Sequence, residues 1–126
     1  MSEKHPVIAV TGSSGAGTST VKAAFEHIFH IENINACIIE GDSFHSYDRQ
    51  EMCQKIRESE AKGGTFSHFG VDANDLERLE KLFYKYGQSG NGERRYYLHN
   101  QEEANRFDQK PGEFTPWESI QADTDM

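Results

Sequence analysis

The chain has 126 residues, which is enough for one domain of ordinary size and too few for two, so we treat residues 1–126 as part of one domain. It carries 13 Lys and Arg residues against 21 Asp and Glu residues, a formal net charge of −8. This balance argues against a nucleic-acid or anionic-membrane partner. Any anion that the protein binds must therefore be held by local groups.

The large apolar residues are unevenly distributed. Leu, Ile, Val and Phe together number 24, about 19% of the chain, which is at the edge of the composition that supports independent folding. Residues 1–40 contain 11 of them, and residues 41–126 contain the other 13. The first segment is therefore the better candidate for a core, and the second is expected to need something to pack on.

The two cysteines, Cys37 and Cys53, lie 16 residues apart without a C-x-x-C pattern or a nearby pair of histidines. This spacing supports neither a disulfide framework nor a zinc site, and it favours a reducing compartment. The polar start of the chain leads into a short apolar run that is too short for a signal peptide or a membrane span. We predict a cytoplasmic protein.

Residues 7–40 read as strand, helix and strand. The run over residues 7–11 is continuous, apolar and rich in β-branched residues, as in a strand buried on both faces, and residues 36–39 form a second such run. Between them, four apolar residues at helical spacing predict a helix that ends near residues 32–33: Val21, Phe25, Ile28 and Phe29. The pattern predicts a βαβ unit and an α/β fold with a parallel sheet flanked by helices.

Two further helices are predicted downstream. Asp48 and Glu51 have the spacing of a capping box before a polar helix over residues 50–62. A second, more amphipathic helix is predicted to stop at Gly87 and carries the stripe Leu76, Leu79, Leu82, Phe83 and Tyr86. Beyond it we expect a short strand over residues 96–98 and one or two helical turns over residues 102–106.

The most specific motif lies between the first predicted strand and helix: Gly12, Ser13, Ser14, Gly15, Ala16, Gly17, Thr18 and Ser19. Glycines at this point let backbone amides turn inward, and the helix start adds a positive dipole, so the loop can hold phosphates. The Ser19 hydroxyl would then be a ligand of Mg²⁺. Thr18 occupies the position at which the general phosphate-loop pattern has lysine. The alternative interpretation of the whole segment is a glycine-rich turn that binds no ligand.

The combined motifs resemble the bacterial type of phosphoribulokinase, within the P-loop phosphoribulokinase/uridine kinase family. The resemblance rests on the loop, where this family carries threonine at the position of Thr18, and on segments 40–45, 65–69, 73–75, 86–90 and 111–117, in order and with nearly unbroken spacing. It implies the P-loop NTPase-like fold, with the chain as the N-terminal part of the kinase domain, truncated before the Walker B strand.

The resemblance also implies an activity: ATP and Mg²⁺ are used to convert ribulose 5-phosphate to ribulose 1,5-bisphosphate, a Calvin cycle reaction. It further implies that full-length family members are homo-oligomers. We expect the isolated 126-residue chain to be an inactive, partly molten fragment. The alternatives are a related kinase for another sugar phosphate or a nucleoside such as uridine, and a non-catalytic remnant that at most binds nucleotide.

The site residues follow from both kinds of argument. Asp42 follows the second predicted strand at its carboxyl end, where open α/β sheets bind ligands and a carboxylate can accept a proton, although a Gly-Asp step is also a common turn. The resemblance implies that Asp42 is the catalytic base for the 1-hydroxyl, facing the nucleotide across one cleft. It implies sugar-phosphate binding by five residues, whose alternative interpretation is an exposed polar surface: His45, Arg49, Arg95, Tyr97 and His99.

Overall fold

The computed structural model describes residues 3–13 and 15–126. In these residues the elements are α1 Thr18–Ile31, a 3-10 helix Gly41–Phe44, α2 Arg49–Ala61, α3 Leu76–Ser89, β1 Glu93–Arg94, α4 Gln101–Arg106 and β2 Glu118–Ser119. The chain divides into two compact units. The first unit comprises the described part of residues 1–38 with residues 83–92 and 120–126, and the second comprises residues 39–82 and 93–119.

The sheet differs from the sequence prediction. The one sheet of the described residues is a two-stranded antiparallel ladder in the second unit, with Glu93 opposite Ser119 and Arg94 opposite Glu118. Residues 7–11 and 36–39, predicted as parallel strands, form no strand. The prediction of a parallel sheet is therefore wrong for these two segments.

The reason for this difference is the absence of strand partners among the residues that the structure describes. A strand persists only when a neighbour satisfies its backbone groups. The second apolar run bonds to the end of the chain instead: the Cys37 amide donates to the Met126 carbonyl, and the Asp125 amide donates to the Asn35 carbonyl, each at 2.7 Å. The first apolar run has no such backbone partner in the described ranges.

The helices follow the predictions more closely. α1 has the predicted position, and α2 begins where the capping box places it, because the Asp48 side chain accepts from the Glu51 amide at 2.9 Å. α3 continues through Gly87 to Ser89, so the predicted stop at Gly87 is wrong. One glycine inside a helix lowers helix stability by about 1 kcal/mol relative to alanine, and packing of the helix can offset this loss. None of the described helices is long and apolar enough to cross a bilayer.

Most of the buried apolar residues lie in the second unit: Phe44, Met52, Ala73, Leu82, Leu98 and Ala104. In the first unit, Tyr86 and Ile120 are buried, and the Tyr86 hydroxyl shares a 2.8 Å hydrogen bond with Thr124. The apolar face of α1 has the predicted spacing but buries no residue, since no sheet forms beneath it in the described chain. The better-packed unit is therefore the one with the more polar sequence.

Candidate active site

The glycine-rich loop lies in the first unit and leads directly into α1. Gly15 and Gly17 have φ angles of 82° and 87°, a left-handed conformation that glycine adopts without strain. Gly17 is the N-cap of α1, and no side chain among the described residues caps it. The Ala16 amide donates to the Ser13 carbonyl at 3.0 Å. These features give a tight turn with an uncapped helix start, as a phosphate-binding loop requires.

Ser14 lies outside the described residues, while the other seven predicted loop residues are described and exposed. Thr18 and Ser19 form the first turn of α1. The described residues contain no cluster of three His, Cys, Asp or Glu side chains that could hold a metal ion. A single hydroxyl such as that of Ser19 still suits Mg²⁺, which commonly keeps one or two protein ligands together with phosphate oxygens and water.

In the second unit, the Asp42 carboxylate lies between two imidazole rings. Its Oδ2 atom is 2.8 Å from Nε2 of His99, and its Oδ1 atom is 3.4 Å from Nε2 of His45. The Asp42 side chain is 53% exposed, so a ligand can reach it. An accessible carboxylate at this position can accept a proton from a hydroxyl group of a ligand.

Asp42 lies at the surface of the 3-10 helix because the two residues that follow it are buried. Ser43 and Phe44 are 1% and 2% exposed, and the Ser43 hydroxyl donates to the Glu40 carbonyl at 2.6 Å. Phe44 meets the Trp117 ring edge-on, with centroids 5.6 Å apart. Burial of these two consecutive side chains fixes the turn and leaves the preceding carboxylate at the surface.

His99 is held from its other side by Glu103, a residue that the sequence analysis missed. The Glu103 Oε2 atom is 3.1 Å from Nδ1 of His99 and also accepts from the His99 backbone amide at 2.8 Å. Asn100 caps α4 by accepting from the Glu103 amide at 2.9 Å. The signal was present, because Asn100 and Glu103 repeat the capping spacing and His99 precedes Glu103 by four residues.

The two histidines have opposite protonation tendencies. Burial lowers the pKa of His45, and nearby His68, His99 and Arg95 add to this effect against the attraction of Asp42. Partial burial also acts to lower the pKa of His99, but its hydrogen bonds to Asp42 and Glu103 outweigh burial and raise the pKa. His99 is therefore the better cationic donor to Asp42, and His45 favours its neutral form.

Tyr97 and Arg49 complete the cluster. The Tyr97 ring makes edge contacts with His45 and His99, at centroid distances of 5.7 and 4.9 Å, and packs on Phe114 at 5.4 Å. Arg49 reaches over from the first turn of α2, where its Nη2 atom donates to the His99 carbonyl at 2.9 Å. Of the predicted substrate residues, His45 and His99 therefore contact Asp42 directly, while Tyr97 and Arg49 contact these histidines.

Arg95 contacts the backbone of this cluster. Its Nε and Nη2 atoms donate to the carbonyls of Ser43 and His45, at 2.8 and 2.9 Å. The guanidinium lies 3.6 Å from the Phe114 ring centroid and 4.5 Å from that of Trp117. Arg95 therefore supports the backbone that carries Asp42 and His45.

Comparison with known proteins finds similarity to phosphoribulokinases, both among curated sequences and among solved structures. The chain is 55% identical over its full length to the plasmid phosphoribulokinase of Cupriavidus necator and 53% identical to the probable phosphoribulokinase of Escherichia coli. It spans 44% of the length of each of these relatives. A solved structure of phosphoribulokinase from Rhodobacter spheroides matches with a TM-score of 0.83 and 43% identity, over 98% of this chain and 41% of that one.

The match to a family as a whole covers almost the entire chain. The pattern of the phosphoribulokinase/uridine kinase family matches residues 7–126, which include both the glycine-rich loop and the Asp42 cluster. The likeness to a solved phosphoribulokinase also gives the fold as that of a P-loop kinase. The resemblance stated from the sequence motifs is thus confirmed, and the chain belongs to the phosphoribulokinase/uridine kinase family.

Proposed function

We propose that this chain carries the phosphate-binding loop and the sugar-phosphate side of a kinase that converts ribulose 5-phosphate to ribulose 1,5-bisphosphate with ATP. The observation that supports it most directly is the accessible Asp42 carboxylate, paired with His99 at 2.8 Å and His45 at 3.4 Å. The names of the relatives support the choice of substrate.

In the proposed reaction, Asp42 accepts the proton of the 1-hydroxyl of the sugar. That oxygen forms a bond to the γ-phosphorus of ATP, and the bond from this phosphorus to the bridging oxygen of ADP breaks. ADP leaves with the electron pair of the broken bond. The transferred group carries its negative charge on oxygens, so catalysis depends on positioning and on nearby positive charge.

The substrate side would be held by the residues that surround Asp42. Arg49 and His99 offer positive charge for the phosphate of ribulose 5-phosphate, and His45 and Tyr97 offer hydrogen-bonding groups for the sugar. Arg95, whose guanidinium donates to the carbonyls of Ser43 and His45, would keep their backbone in place. Only Asp42 is proposed to act in the proton transfer itself.

The nucleotide side would be held by the amides and hydroxyls of Gly12–Ser19. Ser19 would bind Mg²⁺, which supplies positive charge to the phosphate oxygens. The matched relatives are more than twice as long as this chain, consistent with further kinase elements, such as a Walker B strand and a lid, in their unmatched part. We therefore expect turnover only when such elements are supplied.

A chimera tests this function. Residues 1–126 replace the matching segment of the Cupriavidus necator relative, and the chimera is assayed with labelled ATP and ribulose 5-phosphate. Asp42→Asn should reduce kcat by about 10²- to 10⁴-fold, because the base is lost, while ATP binding stays nearly intact. Asp72→Asn, an exposed acidic residue of the same unit, is the matched control. Normal turnover by Asp42→Asn would refute the assigned base.

A substrate panel separates the alternatives. The same chimera is offered ribulose 5-phosphate, other pentose phosphates and uridine under identical conditions. The proposal predicts a kcat/KM for ribulose 5-phosphate at least about tenfold above any competitor, since one lost hydrogen bond to a charged group costs about 1.5–3 kcal/mol. A preference for uridine would contradict the proposal and indicate a nucleoside kinase.

A further inference from the structure

Glu103 contacts the ring of His99 on the side opposite Asp42. Imidazole has nitrogens on two edges, and here each edge faces a carboxylate: Nε2 faces Asp42 at 2.8 Å and Nδ1 faces Glu103 at 3.1 Å. The same Glu103 oxygen accepts from the His99 amide at 2.8 Å, so it contacts both the backbone and the ring of one residue. This two-point contact restricts rotation of the ring.

We infer that Glu103 is a positioning residue for this site, which fixes the His99 ring with Nε2 towards Asp42 and stabilises its protonated form. The link to catalysis rests on the proposed function above. A carboxylate that orients and charges a histidine from behind is a common arrangement around reacting groups, since it selects one ring orientation.

The charges around His99 support this role. The groups that face it are the carboxylates of Asp42 and Glu103, the ring of Tyr97, and the guanidinium of Arg49, which binds the His99 carbonyl. His45 lies on the other side of the Asp42 carboxylate and is coupled to His99 by charge. The backbone hydrogen bond from His99 lowers the pKa of Glu103, so this carboxylate is ionised at neutral pH.

The neighbouring residue provides a matched control. Glu102 lies on the same short helix, is 82% exposed and pairs with Arg106 at 3.3 Å. Glu103→Gln removes the negative charge but keeps an oxygen that can accept from the His99 amide. Glu102→Gln makes the same chemical change at the surface. The pair therefore separates an effect on His99 from a general loss of charge on α4.

The experiment follows the titration of the six histidines by NMR in the 126-residue chain and in both variants. Glu103→Gln should lower the pKa of His99, because one of the two carboxylates that face the ring loses its charge, and Glu102→Gln should leave that pKa unchanged. An unchanged His99 titration in Glu103→Gln would overturn the inference. If Glu103→Gln does not fold, Glu103→Asp replaces it, with a carboxylate that is shorter by one carbon. Glu103→Asp should lower the pKa of His99 by less than the loss of the charge would. An unchanged pKa of His99 in Glu103→Asp would equally overturn the inference.

A kinetic arm connects the contact to the reaction. In the chimera, Glu103→Gln should reduce kcat about tenfold and move the alkaline limb of the pH profile to lower pH, because His99 then loses its proton more readily. A reduced kcat with an unmoved alkaline limb would contradict the inference. The NMR result does not depend on phosphoryl transfer: shifted titration with an inactive chimera would count against the proposed function and leave the positioning role intact.

Discussion

The two units of this chain differ in a way that composition alone does not anticipate. The first unit contains the most apolar stretch of the sequence, yet it holds only two of the eight buried apolar residues of the described chain, Tyr86 and Ile120. The second unit is more polar, yet Leu98 is 1% exposed and the residues around Asp42 are locked by hydrogen bonds. The difference shows that burial depends on having a partner surface and not only on apolar side chains.

The physical reason lies in how each unit satisfies its contacts. Residues 7–11 need neighbouring strands, which the described residues do not supply. The second unit closes on itself through contacts between its own segments, such as the Arg49 amide on the Gly112 carbonyl at 2.9 Å and the Leu98 amide on the Glu113 carbonyl at 3.0 Å. The site is therefore built on the more self-sufficient part of the chain.

The largest expected effect comes from opening the core of the second unit. Leu98→Ala should lower the free energy of unfolding by about 2–5 kcal/mol, because a nearly fully buried side chain leaves a cavity. Ile8→Ala in the first unit should cost below about 0.5 kcal/mol, since the side chain is largely exposed. Urea unfolding followed by circular dichroism and by the fluorescence of Trp117 compares the two. Equal losses would contradict the contrast between the units.

The next effect concerns the arginine that supports the site. Arg95→Lys should destabilise the second unit by about 1–3 kcal/mol, because lysine cannot serve two carbonyls with a planar fork while stacking on Phe114. It should also disturb the His45 and His99 NMR signals. Arg57→Lys, exposed on α2, is the control. Unchanged stability in Arg95→Lys would contradict the supporting role assigned to Arg95.

A smaller effect is expected at the phosphate loop of the first unit. Gly17→Ala places a side chain at a φ of 87° and should cost about 1–2 kcal/mol in local strain, weakening ATP binding by about tenfold. Gly70→Ala, where the new carbon would lie 3.6 Å from the Ser67 carbonyl, an ordinary contact, is the control. Isothermal titration with ATP and Mg²⁺ measures both variants. Equal affinity for ATP in the two would count against a phosphate role for the loop.

The smallest effect is a pair of opposite pH dependences in the second unit. The raised pKa of His99 stabilises the fold below the unfolded value of about 6.5, and this contribution is lost as the pH rises through the folded pKa. The lowered pKa of His45 acts in the opposite sense, because stability is lost as the pH falls below the unfolded value. Each contribution should stay below about 1 kcal/mol, given the exposure of these groups.

Single replacements separate the two histidines. In His99→Gln, where His45 remains, unfolding free energy should fall as the pH is lowered from about 7 to 5; in His45→Gln it should rise over the same range. Urea midpoints at several pH values give the answer. Slopes of the same sign in both variants would contradict the assigned protonation tendencies.

Local features were predictable from the sequence. The start of α2 depends on Asp48 and Glu51, three residues apart, and the structure has the expected cap. The turns of α4 and the position of α1 likewise depend on neighbouring residues. The residues of the Asp42 cluster came from their positions in the sequence together with the resemblance to a family; in the structure His45 and His99 contact Asp42, and Tyr97 and Arg49 contact His99.

Features that depend on distant partners were not predictable. The strand over residues 7–11 was assigned from its own residues, but a strand also needs a ladder. The role of Arg95 depends on carbonyls that lie 52 and 50 residues away in the sequence. Glu103 was overlooked for a different reason: a glutamate at a capping position already has a local explanation, and its importance appears only when His99 is seen against Asp42.

The most direct measurement titrates the 126-residue chain with ribulose 5-phosphate while the histidine signals are followed by NMR. We predict saturable shifts of His45 and His99, no such shifts with unphosphorylated ribulose at the same concentrations, and no shifts of His27 or His30 on α1. Failure of His45 and His99 to respond to ribulose 5-phosphate, with the second unit shown to be folded by Trp117 fluorescence, would contradict the sugar-phosphate site.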